Sequence, residues 1–295
     1  MTSHVIAKRE TKVRRQIVSA CILSAATCFV PAASDAAVLA YEGFDYEVGA
    51  LGTANGGTGW GGAWSSVNPP TTAGASSSHS VAAGSMTYSN LVTGGNQDRI
   101  SNSGGSTAAG AAFRNLAASF TLDEANPVLW LSFMGQADNT TTGGHAGVAL
   151  FNGTTEFGTF GKRSAASYST TPHTWSIGLA SAFGAAVNSS EPANVPSFLV
   201  YKFTWTGATS AATAELWVNP ELDAAPTVDT RDASTTANNF TINRVRVSTS
   251  TNSGNFDEIR LGTTFEDVAP VPEPTSVGLV AAGAAALLAR RRRRS

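Results

Sequence analysis

Apolar and polar residues alternate in short runs along the middle of the chain, and turn-forming residues separate the runs. Large apolar side chains occupy every second position of Phe198–Thr206, as expected of a strand with one buried face. The run Val128–Met134 is apolar on both faces, which is typical of a central strand. Further strands are predicted at Ala146–Phe151, Glu156–Phe160, Thr174–Ile177, Thr213–Val218, Thr241–Val247 and Phe256–Leu261. No sustained 3.6-residue repeat, the mark of an amphipathic helix, occurs between residues 37 and 268.

Glycine and asparagine residues mark the turns between these runs, for example at Asn152-Gly153 and Ser253-Gly254. About ten or more short strands without crossover helices predict an all-β fold, an antiparallel two-sheet jelly-roll sandwich. One such sandwich accounts for residues 37–268. The stretches 65–84 and 101–112 have low sequence complexity and are predicted to be loops.

The first 36 residues have the order of features expected of a signal peptide. A basic region, Lys8–Arg15, precedes an uncharged and mostly apolar run, Ile17–Val30. Pro31 ends this run, and small residues at positions 34 and 36 suit cleavage before Ala37. The alternative is a buried helix of a cytosolic protein, which would not require this order. Both cysteines lie within the predicted signal peptide, so the processed chain would contain neither a disulfide nor a thiolate metal site.

Residues 269–295 have the features of a sorting and anchoring segment. The prolines of Pro272-Glu273-Pro274 keep the backbone extended, where a processing enzyme can reach it. An uncharged stretch, Thr275–Ala289, follows, and then five arginines that are expected to stay on the cytoplasmic side. As a helix this stretch rises about 22 Å, which is short of a hydrocarbon core of about 30 Å. It is therefore predicted to be a short transmembrane helix that holds the chain in the inner membrane transiently.

This segment resembles the PEP-CTERM sorting domain of Gram-negative bacteria, because the V-P-E-P tetrad, the apolar helix and the arginine run stand in that family's order. The resemblance implies processing by an exosortase, a membrane cysteine protease, and a setting of exopolysaccharide, biofilm or floc. The alternative is a proline-rich linker before an ordinary tail anchor. The resemblance assigns Val271, Pro272, Glu273 and Pro274 to the sorting motif, Val277, Leu279, Val280, Leu287 and Leu288 to the membrane anchor, and Arg290, Arg291, Arg292, Arg293 and Arg294 to the cytoplasmic stop.

Charge is distributed unevenly along the chain. Between residues 37 and 270 the chain carries nine Lys and Arg against eighteen Asp and Glu residues, and its other basic residues lie at the two ends. An acidic body lacks the clustered cations that binding to nucleic acid requires. Nucleic acid is therefore excluded as a predicted partner.

Two parts of the body resemble concanavalin A/laminin-G-like modules, which are often attached to such sorting tails. Residues 41–46, the sequence N-G-G-T-G-W at 55–60, and Trp64 look like the opening of these modules. Leu216–Pro220 and Phe256–Gly262 look like their late strands. The resemblance implies a concanavalin A-like jelly roll.

The acidic residues of these segments carry a further expectation. By resemblance, one structural calcium ion would tie the first strand to the last, with Glu42 or Asp45 and Asp257 as candidate ligands. The alternative is that these carboxylates face solvent on edge strands. In either case we expect the strand near residues 41–44 to pair with the strand near residues 256–261.

No catalytic arrangement is found in the sequence. The three histidines of the body lie in separate segments, and neither a G-x-S-x-G elbow nor a P-loop occurs. The E-x-D-x-x-E pattern of glucanases with this fold is absent. Asp123-Glu124 and Asp257-Glu258 are adjacent pairs, whose side chains point to opposite faces of a regular strand. The chain is therefore predicted not to be an enzyme.

Among the six tryptophans, Trp60 and Trp64 lie between glycines in a predicted loop and are the candidates for stacking on a sugar ring. Trp130 and Trp205 share strand faces with other large apolar residues and are predicted to be core. The expected function is that of an exported, non-catalytic surface or matrix protein that contacts exopolysaccharide or cell-surface glycan. The alternatives are a divergent glycan-active hydrolase or lyase on the same fold, and an inert structural spacer.

Overall fold

The structure is a computed structural model that describes residues 38–66, 78–101, 110–140, 144–164, 173–179, 186–207, 212–250 and 253–272. These residues form fifteen strands and one short α-helix, and a single 3₁₀ turn lies at Val228–Thr230. The elements are β1 (Ala40–Glu42), β2 (Gly49–Ala50), β3 (His79–Ala82), β4 (Gln97–Ile100), β5 (Ala111–Thr121), β6 (Val128–Ala137), β7 (Ala146–Asn152), β8 (Thr155–Lys162), β9 (Thr174–Leu179), β10 (Ala186–Pro192), β11 (Ser197–Trp205), β12 (Ala212–Val218), β13 (Ala233–Ala237), β14 (Thr241–Thr249), β15 (Gly254–Gly262) and α1 (Phe265–Val268).

The strands form two antiparallel sheets. Nine strands make the first sheet, in the order β13-β12-β11-β6-β15-β4-β3-β2, and β1 also pairs with β15. Six strands make the second sheet, in the order β10-β9-β8-β7-β14-β5. The prediction of an all-β, antiparallel two-sheet fold is confirmed, as are all eight strands predicted from the alternating runs.

Strand β6 is buried on both of its faces along almost its whole length, as its sequence predicted. Leu129, Leu131 and Phe133 belong to the main core between the two sheets. Trp130 and Met134 alternate with them and therefore point to the outer face, where they join a second apolar cluster. This outer cluster consists of Met86, Leu91, Trp130, Met134, Phe198, Val200, Trp217, Leu222, Phe265, Val268 and Ala269.

The first and last strands of the body lie side by side, which confirms the expected pairing. Ala40 stands opposite Leu261, and Glu42 stands opposite Ile259. The backbone N–H of Leu39 extends the pairing with a bond of 2.8 Å to the carbonyl of Leu261.

Strand β15 contains a β-bulge that the sequence did not reveal. Its register against β6 shifts between Asp257, opposite Met134, and Arg260, opposite Ser132. Glu258 lies within the bulge with φ of 54°, a left-handed conformation that only a few per cent of non-glycine residues adopt. The bulge changes the direction in which the following side chains point.

The chain after β15 folds back over the outer face of the nine-stranded sheet. Helix α1 begins with a capping box, in which the Asp267 N–H donates to the Thr264 hydroxyl and the Thr264 N–H donates to the Asp267 carboxylate. The Ser132 hydroxyl donates to the Val268 carbonyl at 2.6 Å, and the Val92 N–H donates to the Pro270 carbonyl at 2.8 Å. Because Val271 also packs against the outer cluster, the folded body continues to the first residue of the predicted sorting motif.

Two of the predicted loops are partly strand. Strand β3 lies within the stretch 65–84, and β5 begins at Ala111, within the stretch 101–112. Strands β10 and β13 were not predicted either. These segments are rich in Ser, Thr and Ala, and β10 has one buried residue, so their sequences lack the apolar alternation that marks the other strands.

Four predicted features lie outside the described residues, namely the signal peptide, Glu273 and Pro274 of the sorting motif, the anchor residues and the terminal arginines. Among the residues that are described, we find no helix with the length and apolar character needed to cross a membrane.

Candidate functional site

A buried ion pair connects the two sheets at the side of the sandwich. Glu42 of β1 and Arg114 of β5 are each 1 % exposed, and one guanidinium nitrogen donates to the Glu42 carboxylate. That carboxylate also accepts hydrogen bonds from the Phe44 N–H at 2.8 Å, the Tyr46 hydroxyl at 2.7 Å and the Trp64 indole N–H at 3.2 Å. Burial raises the pKa of Glu42, and these donors together with Arg114 oppose that shift.

Residues 55–64 also contact the guanidinium of Arg114. Its other nitrogens donate to the Gly62 carbonyl at 2.7 Å, the Asn55 side chain at 2.9 Å and the Gly56 carbonyl at 2.8 Å. It lies 5.0 Å from the ring centre of Trp60 and 5.5 Å from that of Trp64, within the range of cation–π attraction. The two predicted sugar-stacking residues thus enclose an internal cation.

These contacts determine how much of each tryptophan ring is accessible to a ligand. Trp64 is fully buried, stacks on Phe44 at 5.9 Å and has no exposed face for a sugar ring. Trp60 is half-buried, and its indole N–H donates to the Tyr41 carbonyl at 2.8 Å. The prediction that Trp60 and Trp64 stack on a sugar ring therefore does not fit Trp64, which packs within the core.

Glycine is required where this segment passes over β1. Gly57 and Gly59 have φ of 67° and 76°. A Cβ atom on Gly59 would lie 1.9 Å from the Leu39 carbonyl oxygen, and one on Gly57 would lie 2.2 Å from that of Tyr41. The N-G-G-T-G-W sequence therefore serves close packing of backbone on backbone.

The acidic residues of β15 hold a different segment, residues 85–94. One oxygen of Asp257 lies 2.6 Å from the Ser85 hydroxyl and accepts from the Met86 N–H at 2.9 Å. Glu258 accepts from the Gly94 N–H at 2.8 Å and forms a buried ion pair with Arg260. Because Glu258 lies in the bulge, both adjacent carboxylates reach the same segment, whereas a regular strand would separate them.

Burial strongly raises the pKa values of two residues in this region, Asp257 and Tyr41. It raises the pKa of Asp257 to about 8, and the nearby Glu258 carboxylate adds to the shift. Burial likewise raises the pKa of Tyr41 to about 12, with a further contribution from Glu258. The Arg260 guanidinium lies 4.0 Å from the Tyr41 ring centre, so both ends of the body contribute to one packed cluster.

The structure does not gather the three candidate calcium ligands into one site. In the part of the chain that the structure describes, no three His, Cys, Asp or Glu side chains are arranged to hold a metal ion. Glu42 and Asp257 are buried and bound by protein donors, and Asp45 is exposed. The alternative of solvent-facing carboxylates is wrong for Glu42 and Asp257.

The histidines of the body are placed in separate buried sites. His79 lies 2.7 Å from the Asp98 carboxylate. The ring nitrogens of His145 lie 3.0 Å from the Ser248 hydroxyl and 2.9 Å from that of Ser250, and burial lowers its pKa to about 3. Both ring nitrogens of His145 therefore have hydrogen-bond partners, whereas the buried Nε2 of His79 and the second carboxylate oxygen of Asp98 have none among the described residues.

A cavity of about 710 Å³ opens at one end of the sandwich. It lies where β7 ends, β8 begins, β9 ends, and the 238–240 connection leads from β13 to β14, so both sheets contribute to its wall. Its lining consists of Asn152, Thr155, Glu156, Phe157, Leu179, Thr236, Ala237, Asn238, Asn239, Phe240 and Thr241. Sequence reasoning missed this site, although the turn signal at Asn152-Gly153 and the Asn238-Asn239 pair mark two of its edges.

Residues 270–294 match the PEP-CTERM protein-sorting motif, which implies export to the cell envelope or surface and processing by an exosortase. The match confirms the predicted PEP-CTERM character of this segment. No curated protein matches the chain.

Several solved structures are distantly similar to the chain. Trypanosoma rangeli sialidase in complex with the inhibitor DANA is 10 % identical with a TM-score of 0.33, and the match covers 62 % of this chain and 28 % of that one. The binding domain of botulinum neurotoxin serotype C1 is 9 % identical with a TM-score of 0.37, covering 68 % and 49 %. The chain thus spans between about a quarter and a half of these proteins. At such scores the similarity identifies neither a common fold nor a common ligand.

Proposed function

We propose that this chain is an exported, non-catalytic surface or matrix protein that an exosortase processes at its PEP-CTERM motif, and whose sandwich contacts exopolysaccharide or cell-surface glycan. The observation that carries the proposal is the match at residues 270–294. The motif begins directly behind Pro270, whose carbonyl is bound to the body. A folded exported domain and its sorting signal are thus adjoining parts of one chain.

The remaining topology of the proposal follows from the sequence. Residues 1–36 are removed as a signal peptide, Thr275–Ala289 crosses the inner membrane transiently as a short helix, and Arg290–Arg294 stay in the cytoplasm. The body belongs to the concanavalin A-like jelly rolls. The pairing of β1 with β15 and the two-sheet, antiparallel arrangement support that assignment.

The placement of the acidic residues supports a non-catalytic role. General acid–base hydrolysis of a glycosidic bond requires two carboxyl groups that face one substrate. Asp257 and Glu258 instead bind residues 85–94 inside the protein, and Glu42 binds Arg114. Release of reducing sugar from polysaccharide by the full chain would establish the alternative of a divergent hydrolase, and release of unsaturated sugar ends would establish a lyase.

The sorting part of the proposal is tested by replacing Pro272, Glu273 and Pro274 with alanine. This variant should remain uncleaved in the inner-membrane fraction of the producing cell, because the processing enzyme loses its extended recognition segment. The matched control replaces the exposed Glu124 and Pro127 with alanine and should be sorted like the wild type. Release of the triple variant at the wild-type level would overturn the proposal, since the tail would then be a mere anchor.

A further inference from the structure

We infer that the cavity between the β7–β8 hairpin and the β13–β14 connection binds an uncharged glycan. The inference rests on the glycan contact of the proposed function, and it adds the site and the chemical class of the ligand. Neither Trp60 nor Trp64 lines this cavity, so the site differs from the one that the sequence indicated.

The polar lining consists mainly of amides and hydroxyls. Asn152 and Asn238 have exposed side chains, and Thr155 and Thr236 lie beside them on the exposed rim. An asparagine amide donates and accepts hydrogen bonds, and so does a threonine hydroxyl. A sugar hydroxyl also does both, so this lining is complementary to a polyhydroxylated ligand.

Apolar groups supply the floor of the cavity. Phe157 is half-buried and stacks on Phe240 with ring centres 3.9 Å apart, and Leu179 lies beside them. An aromatic surface surrounded by a few directed polar groups is the usual composition of a small-molecule site. The carbon-bound hydrogens of a pyranose ring can pack on such a floor while its hydroxyls reach the rim.

The charge of the lining favours an uncharged ligand. Among the described lining residues Glu156 alone is ionisable, and its carboxylate lies 3.1 Å from the Arg246 guanidinium and accepts from the Thr159 hydroxyl at 2.5 Å. The lining residues that the structure describes therefore present no lysine or arginine to the carboxylates of a uronic acid polymer or to the phosphates of a nucleic acid.

Two hydrogen bonds tie the rim of the cavity to the sandwich. The Leu122 N–H donates to the Phe240 carbonyl at 2.9 Å, which holds the 238–240 connection against the end of β5. The Gly153 N–H donates to the Asn243 side chain at 2.9 Å, which holds the β7–β8 turn against β14. A site on such supported turns binds without a large ordering cost.

The test measures binding of the full chain, purified in detergent, to dextran and mannan as uncharged polymers and to alginate as a polyuronate. We compare the wild type with the double variant Asn152→Ala/Asn238→Ala, whose exposed side chains can be removed without loss of core packing. The matched control is Asn90→Ala/Asn194→Ala, which removes two exposed amides that lie outside the cavity lining. Thermal unfolding of all three proteins should be the same.

We expect dextran or mannan to bind the wild type and the control equally, and to bind the cavity variant about tenfold more weakly, because two hydrogen-bonding groups are lost. Equal binding by all three proteins would overturn the site and leave the proposed glycan contact standing. Binding of alginate alone would overturn the ligand class. If no polymer binds, the inference and the glycan part of the proposed function both fail, while sorting is judged separately from the motif variant.

Discussion

Removal of the Glu42 charge should destabilise the sandwich strongly. In Glu42→Gln the Arg114 guanidinium stays buried, and no carboxylate balances its charge. Breaking a buried ion pair from one side costs about 3–5 kcal/mol. Because a domain of this size loses about 2–4 °C of melting temperature per kcal/mol, the shift should be about 6–20 °C.

The control for this prediction is the ion pair between Arg99 and Asp138, whose side chains are 31 % and 38 % exposed. Solvent screens that pair, so Arg99→Met should cost about 1 kcal/mol or less. Urea unfolding of both variants gives the free energies directly, and equal slopes show that the comparison is between like transitions. A loss of unfolding free energy in Glu42→Gln no larger than that in Arg99→Met would refute the inference that the Glu42–Arg114 pair holds the two sheets together.

Three further predictions concern Gly59, Asp257 and the binding of calcium. Gly59→Ala should lower the free energy of unfolding in urea by about 2 kcal/mol or more, because its φ of 76° and the nearby Leu39 carbonyl exclude a Cβ atom. Gly62→Ala is the control and should be nearly neutral, because its Cβ would meet nothing within 4 Å. The pKa of Asp257, about 8 in the folded state, lies above its ordinary value, so the free energy of unfolding should fall as pH rises from 4 to 8, by up to about 1.4 kcal/mol per pH unit; an unchanged slope in Asp257→Asn would contradict this assignment. Calcium binding stays a prediction from the resemblance, and it requires that a chelator lower the melting temperature of the wild type and not that of Asp257→Ala. The protein donors that already bind Glu42 and Asp257 predict instead that a chelator leaves both melting temperatures unchanged.

The strands of the body could be predicted where apolar side chains alternate, as in β11, or fill both faces, as in β6. The pairing of β1 with β15 followed from the likeness of two acidic segments to a known module. The bulge at Glu258 could not be predicted, because nothing in the local sequence distinguishes it from a regular strand position. It is nevertheless the feature that turns both Asp257 and Glu258 toward residues 85–94.

Candidate site residues were harder to interpret from the sequence. Tryptophans between glycines suggest an exposed binding loop, but the same pattern arises when a glycine-rich segment packs tightly over a strand. In the structure the glycine-rich segment packs around Arg114. The hydrogen-bond partners of Arg114 lie 52 to 72 residues away in the sequence, so the local pattern does not reveal this contact. The cavity was missed for a related reason, since its polar lining comes from turns that meet only when both sheets are assembled.

Intact-mass analysis of the protein recovered from the surface or matrix of the producing cells tests the central claim most directly. The account predicts a chain that begins at or near Ala37 and has lost the tail after the sorting motif, including Arg290–Arg294. A surface-located chain that retains Cys21 would contradict the signal peptide, and one that retains the five arginines would contradict sorting by cleavage.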